Sequence, residues 1–266
     1  MNKNKAFIET KEYKRFAEFC DACTKYKYIG VCYGPPGVGK TLSARYYANW
    51  NNIEKKLIHQ SFAEIEKNTD DNLLECRTLF HTAPAVKATK FLAKIQTNGI
   101  SLHMAKSTYA NEEDYDLLDW DNNVDLVIVD EIDRLKVQHL EQLRDIYDQN
   151  DIAMVFIGMP GIEKRLARYP QLYSRIGFAH KFNQLSKNEA QHILTYKWQE
   201  LGFPMKLEDF SDYEAVTSII RITGGNFRLM HRLFSQIERI LEINKLSTIT
   251  TEVVETARDS LVIGVQ

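Results

Sequence analysis

Within 266 residues, the stretch Gly34-Pro35-Pro36-Gly37-Val38-Gly39-Lys40-Thr41 narrows the choice of fold most sharply. It fits G-x-x-x-x-G-K-[ST], and its flanks matter as much as its letters. Before it, Tyr28-Ile29-Gly30-Val31-Cys32-Tyr33 is short, apolar and bounded by a Gly/Pro cluster, which reads as a buried strand. After it, Leu42 to Trp50 reads as a helix. A glycine-rich turn between strand and helix lets backbone N–H groups curl around phosphate oxygens, with the positive end of the helix dipole behind them. Lys40 then neutralises the β- and γ-phosphates, and the Thr41 hydroxyl coordinates Mg2+. Gly34 to Leu42 is therefore the expected ATP-binding segment.

The matching half of such a site lies 90 residues past Lys40. Leu126-Val127-Ile128-Val129-Asp130-Glu131 is an apolar strand ending in two carboxylates. Asp130 suits the Mg2+ shell, and Glu131 suits the base that activates the attacking water. Two acids at a strand end mean little alone. Beside a phosphate loop they imply NTP hydrolysis. No acidic triad is placed for a two-metal nuclease, so the chain is not expected to cut or join DNA itself. The seven histidines follow no metal-ligand spacing, which leaves nucleotide-bound Mg2+ as the expected metal.

Around these motifs the pattern alternates. Tyr13, Phe16, Ala17, Phe19, Cys20 and Cys23 recur at helical spacing over residues 11–26. Pro84 opens a predicted helix to about Thr97, and Val137 to Tyr147 is amphipathic. Ile152 to Ile157 and Phe178 to Phe182 are further continuous apolar strands. Between Asn51 and Arg77 the pattern is polar and irregular. Lys56-Leu57-Ile58-His59-Gln60 and Leu79-Phe80-His81 compete there as one more strand. Continuous apolar strands alternating with helices predict an α/β fold, a parallel sheet covered by helices on both faces. After Leu185 the strands stop. Ser186 with Glu189 forms a capping box for a helix to about Leu201, and helices near 212–222, 226–244 and 250–262 follow. The expected organisation is an N-terminal helix and linker (1–27), an α/β nucleotide-binding domain (28–185) and a small all-helical C-terminal domain (186–266).

Composition removes other classes. Apolar residues at 44% and charged residues at 26% are globular values that argue against disorder. No stretch approaches the roughly 18 uncharged apolar residues of a membrane span, and Met1-Asn2-Lys3-Asn4-Lys5 leads into no apolar signal region. A soluble cytoplasmic protein without a membrane partner is expected. Thirty-four Lys and Arg against 36 Asp and Glu leave a net charge of −2, so any nucleic-acid contact must come from a local basic face. Cys20 and Cys23 read as C-x-x-C, but no second ligand pair follows. With Phe16 and Phe19 they fit one apolar helix face, as packing residues.

The Asp-Glu pair, the later strand and the helical C-terminal domain resemble the AAA+ ATPases. That resemblance implies a P-loop AAA+ sheet followed by a helical lid. It also implies an arginine that reaches the neighbouring subunit's nucleotide. Pro170-Gln171-Leu172-Tyr173-Ser174-Arg175-Ile176 carries the matching Ser-Arg before the last strand, making Arg175 the candidate, with Arg165 and Arg168 as nearby competitors. Thr223-Gly224-Gly225-Asn226-Phe227-Arg228 resembles the sensor 2 motif. There Gly224-Gly225 ends one helix, Asn226 caps the next, and Arg228 in its first turn is placed to reach the γ-phosphate. One position departs. Many AAA+ proteins end the fourth strand with Asn, Thr or Ser to hold the attacking water, whereas Ile157-Gly158-Met159-Pro160 offers no polar side chain before Glu163. Either another group holds that water or hydrolysis is slow, which suits a switch better than a motor.

A narrower likeness is to the small transposition ATPases, the TniB, TnsC and MuB group. It is carried by Val127-Ile128-Val129-Asp130-Glu131-Ile132-Asp133-Arg134-Leu135, by the run from Phe156 to Leu166 and by Tyr169 to Phe178. It implies an ATP-bound ring or helical oligomer on duplex DNA that activates a transposase, with a target-selection protein as a further partner. A replication helicase loader or initiator, or a nucleotide-gated adaptor that never touches DNA, fits the same motifs. For DNA contact, Lys87, Lys90 and Lys94 stand at i, i+3 and i+7 of a predicted helix, followed by His103, Lys106, Ser107 and Thr108. Lysines beside small polar residues suit phosphate contacts that do not read sequence. The same residues also fit a solvated helix face and a flexible loop. The resemblance points to Lys106 and Thr108, in a loop facing the oligomer's central channel.

Overall fold

The computed structural model describes residues 7–57, 64, 67, 69–86, 88–110, 116, 119–200 and 209–261. The chain divides into two compact units. One is Tyr13–Gly34 with Lys40–Phe182, and the other is Asn183–Gln266 with Met1–Glu12 and Pro35–Gly39.

The first unit is built on a parallel sheet. Its strands are β1 (Ile29–Tyr33), β2 (Thr78–Thr82), β3 (Leu126–Asp130), β4 (Ala153–Gly158) and β5 (Ile176–Lys181), in the order β2-β3-β4-β1-β5. Every residue of β3 and β4 is buried, which is why both read as unbroken apolar runs. Edge strand β5 alternates half-buried and exposed residues instead. Register aligns the strand ends: Tyr33 lies opposite Gly158, and Thr82 opposite Asp130. The loop after β1, the acids after β3 and the turn after β4 thus leave one carboxyl edge, where α/β sheets place their ligands.

Helices cover this sheet. In α1 (Lys11–Tyr26), Phe16, Phe19, Cys20 and Cys23 are all buried, and Phe16 packs on Phe182 and His180. From Tyr13 onward this helix belongs to the α/β unit. Burial pushes the Cys23 thiol up to about 12 and raises that of Cys20 well above its usual value, so both stay protonated at neutral pH.

Several boundaries differ from the sequence expectation, among them that of β5, which runs from Ile176 to Lys181 rather than from Phe178 to Phe182. The helix predicted from Leu42 to Trp50 is two, α2 (Lys40–Tyr47) and α3 (Trp50–Leu57), separated at Asn49, whose φ is 49°. Lys56 and Leu57 close α3 and do not open a strand, because Trp50, Ile53 and Leu57 form one buried helical stripe; residues 58–60 lie outside the described residues. The competing run Leu79-Phe80-His81 forms β2, after the short helix α4 (Asp71–Glu75). The helix expected to end near Thr97 is α5 (Ala88–Tyr109), prolonged through Gly99 because Leu102 and Ala105 extend the buried stripe of Phe91, Leu92 and Ile95. Next come α6 (Val137–Gln149), α7 (Ile162–Leu166) and α8 (Pro170–Tyr173).

The helical unit contains α9 (Lys187–Glu200), α10 (Phe210–Thr223), α11 (Phe227–Asn244) and α12 (Thr251–Asp259). Trp198, Ile219, Met230, Leu233, Ile237 and Val254 form its core. The Ser186–Glu189 capping box is made, with Ser186 N donating to Glu189 Oε2 at 3.0 Å. Gly224, in the left-handed region, ends α10. Among the described residues no helix is long and apolar enough to cross a membrane.

Candidate nucleotide-binding site

In the α/β unit the site is built at the ends of β1 and β3. Lys40 opens α2, and its Nζ donates to the Gly34 carbonyl at 2.6 Å. Burial pulls its pKa below the usual lysine value, while surrounding negative groups, Asp130, Glu131 and Asp133 among them, act in the opposite direction. The next residue, Thr41, donates its hydroxyl to Asp130 Oδ2 at 2.7 Å. The other oxygen of Asp130 accepts the Glu131 backbone N–H at 2.9 Å. Asp130 is only 3% exposed, and burial raises its pKa. A hydroxyl and a carboxylate in contact are a hard oxygen donor set. That suits Mg2+, which typically takes one or two protein oxygens and fills its shell from phosphate and water.

Glu131 follows in the left-handed region at φ 58°, a conformation that costs a non-glycine residue about 1–3 kcal/mol. Strain of this kind, at the residue expected to act as base, turns the chain sharply out of β3. The carboxylate is half-exposed, 3.8 Å from Arg134.

In the helical unit, the loop segment Pro35–Gly39 lies against the start of α11. Gly37 has φ +80° and Gly39 φ +114°, values that explain the glycines. Asn226 caps α11 as expected, its Oδ1 accepting from Leu229 N at 3.2 Å. Its Nδ2 also donates to the Pro36 carbonyl at 2.9 Å, while the Arg228 N–H donates to the Gly37 carbonyl at 2.9 Å. A Cβ on Gly37 would stand 2.7 Å from Asn226 Oδ1 and 2.8 Å from Arg228 Cβ. Sequence reasoning found the cap and missed the second bond. The signal was the residue type, since Asn is the capping side chain that also carries an N–H donor. The Arg228 side chain is exposed.

The three candidate arginines separate clearly. Arg175 grips Asp148 with two nitrogens, Nη2 to Oδ2 at 2.7 Å and Nε to Oδ1. Its Nη1 donates to the Gln171 carbonyl. Asp148 also accepts from Arg144 at 2.7 Å, and its carboxyl is held below the usual range, first by the Arg175 hydrogen bond. Arg165 donates to the backbone carbonyls of Asp133, at 2.8 Å, and Leu135, so it serves the turn after β3 of its own chain. Arg168 is exposed.

The expected DNA-contact residues are rearranged. Lys106 and Thr108 are not in a loop: both lie in the last turns of α5, whose apolar stripe continues past the expected end. The Lys106 Nζ donates to the Cys76 carbonyl at 2.6 Å, and burial lowers its pKa. Lys90 is exposed and Lys94 half-buried on the same helix. Lys87 lies outside the described residues. At the end of β4, where the sequence lacks a polar side chain, the Met159 N–H donates to Asp133 Oδ2 at 2.8 Å. Asp133 was not singled out from sequence.

Comparison with known proteins fits this geometry. Residues 23–166 match the family model described as an AAA domain. A Staphylococcus aureus protein described as a potential ATP-binding protein is 61% identical over 271 residues, covering 100% of both chains. The ATP-dependent target DNA activator B of Escherichia phage Mu is 26% identical over 230 residues, spanning 84% of this chain and 65% of that protein. Among solved structures, the Thermotoga maritima RuvB Holliday junction branch migration motor superposes with a TM-score of 0.59 at 18% identity, over 97% of this chain and 71% of that one. The Aeropyrum pernix ORC1 protein in complex with DNA gives 0.59 at 16% identity, over 93% and 64%. At these identities the two structures speak to the fold.

Proposed function

The chain belongs to the AAA-domain family of ATP-binding proteins, and from that premise we propose that it hydrolyses ATP as an assembly switch on duplex DNA, regulating transposition. The observation that carries the ATPase part is the contact of Thr41 with Asp130 at 2.7 Å, beside Lys40 and next to Glu131. Support for the DNA part comes from the phage Mu target DNA activator, similar over 84% of this chain.

In this reading Lys40 moves from the Gly34 carbonyl to the β- and γ-phosphates, and Thr41 with Asp130 holds Mg2+, which screens the phosphate charge. Glu131 accepts a proton from the attacking water. Arg175 exchanges Asp148 for the γ-phosphate of a neighbouring subunit, so assembly and hydrolysis share one residue. Arg228 is the proposed sensor of the γ-phosphate. Lys87, Lys90 and Lys94 contact DNA phosphates, whereas Lys106, on the Cys76 carbonyl, is a weaker candidate than the sequence suggested. A transposase and a target-selection protein are the partners this role requires.

Electron microscopy of the protein with linear duplex DNA tests the reading. With a non-hydrolysable ATP analogue, regular rings or filaments are expected on the DNA, and none with ADP. DNA left bare in both conditions would remove the assembly role.

A further inference from the structure

The end of β4 is where the sequence offers no polar side chain, yet a carboxylate stands there. Asp133 Oδ2 accepts the Met159 N–H at 2.8 Å. The same oxygen is 2.8 Å from the place a Cβ would occupy on Gly158, so the glycine makes room for the acid. Two features hold Asp133 in position. The chain leaves β3 through Glu131 at φ 58° into the 3-10 turn Ile132–Arg134. Arg165 then grips that turn from behind through the carbonyls of Asp133 and Leu135.

A cap for one backbone N–H needs one neutral acceptor. Asparagine would provide it without adding a third negative charge to the turn that already carries Asp130 and Glu131. The charge of Asp133 is therefore not explained by capping. Nor is its second oxygen, which makes no hydrogen bond among the described residues. Gly158 stands opposite Tyr33 in the sheet register, so Asp133 lies at the strand end next to the one that leads into the phosphate loop, and its charge supports that of Lys40.

We infer that Asp133 does the work of the polar side chain missing after β4, its Oδ1 accepting one hydrogen of the water that attacks the γ-phosphate. This rests on the chain hydrolysing ATP. In that step the water oxygen bonds to the γ-phosphorus as the bond to the bridging oxygen breaks, and the bond's electron pair leaves on ADP. One water proton passes to Glu131. The other remains on the new phosphate, and Asp133 only orients it. Asp133 is a positioning residue, and it relieves the apparent defect at Met159.

Asp133→Asn separates the roles. Its amide oxygen keeps the Met159 cap, while an N–H2 donor replaces the acceptor that the water needs. Turnover of the assembled protein on duplex DNA should fall about tenfold, with ATP affinity within about twofold and an unchanged melting temperature. Adding Met159→Thr, which restores a hydroxyl after β4, should recover most of the loss. Wild-type turnover in Asp133→Asn would overturn the inference. So would a loss of stability that tracks the loss of turnover, or a loss that Met159→Thr leaves uncorrected. Absence of turnover in the wild-type protein is a separate outcome, which removes the ATPase reading and this inference with it.

Discussion

Lys40 and Lys106 make the same bond in two regions of the molecule. Lys40 is buried and Lys106 half-buried, each donates its ammonium to a backbone carbonyl at 2.6 Å, and burial lowers the pKa of each. Their surroundings differ. Lys40 stands at the end of a glycine loop, with the charges of Asp130, Glu131 and Asp133 acting on it. Lys106 ends a long helix, with Arg77 opposing its charge and Asp125 supporting it. A buried lysine is thus a functional candidate only when the backbone beside it is shaped for a ligand. At Gly34–Thr41 that shape is written into the sequence, and on α5 it is not.

Replacing each lysine gives the strongest break in this comparison. Lys40→Ala should abolish detectable ATP binding by titration calorimetry, and Lys106→Ala should leave it intact. Equal effects would mean that the glycine loop contributes nothing beyond a buried ammonium. Next in size is Arg175→Ala, which should lower turnover of the assembled protein about a thousandfold while monomer ATP affinity stays the same. Mixing it with Glu131→Gln should restore part of the rate, because one interface then combines both intact residues. Mixed oligomers without any recovery would place the arginine in its own subunit's site. Glu131→Gln alone should keep ATP bound and slow hydrolysis about a hundredfold or more. Turnover within a few-fold of wild type would assign the base elsewhere.

Two smaller effects sharpen the same contrast. Asn226→Asp keeps the helix cap and removes the donor to the Pro36 carbonyl, which should weaken ATP binding about fivefold, equivalent to about 1 kcal/mol. No change would make that bond incidental to the loop's shape. On the DNA side, Lys90→Ala should reduce the slope of log affinity against log salt by about 1, and Lys106→Ala should leave it unchanged. The reverse order would return the DNA contact to the end of α5.

What the sequence discloses follows the range of the forces involved. The phosphate loop and the end of β3 are set by neighbours in the chain, and both lie where the pattern puts them. Edge strand β2 is ambiguous in the sequence because a short run such as Leu79-Phe80-His81 looks no more strand-like than the end of α3 until both are packed. The length of α5 was underestimated because Asn98-Gly99 resembles a helix stop, whereas Leu102 and Ala105 are buried beyond it. Arg175 could be named from its motif, but not its grip on Asp148, 27 residues away. The role of Asp133 is invisible in the sequence because its partner, the Met159 N–H, belongs to a different strand end. Contacts across the sheet leave no local trace.

The proposed switch requires ATP to gate DNA binding, and equilibrium titration of a labelled duplex by fluorescence anisotropy reads that dependence. An overall charge of −2 gives each subunit little long-range attraction for phosphate. Tight binding should therefore need subunits joined through bound ATP, whose weak contacts add along one duplex. Strong binding is expected with a non-hydrolysable ATP analogue, falling linearly in log salt and similar for unrelated sequences, and weak binding without nucleotide. Equally tight binding by the nucleotide-free protein would contradict it.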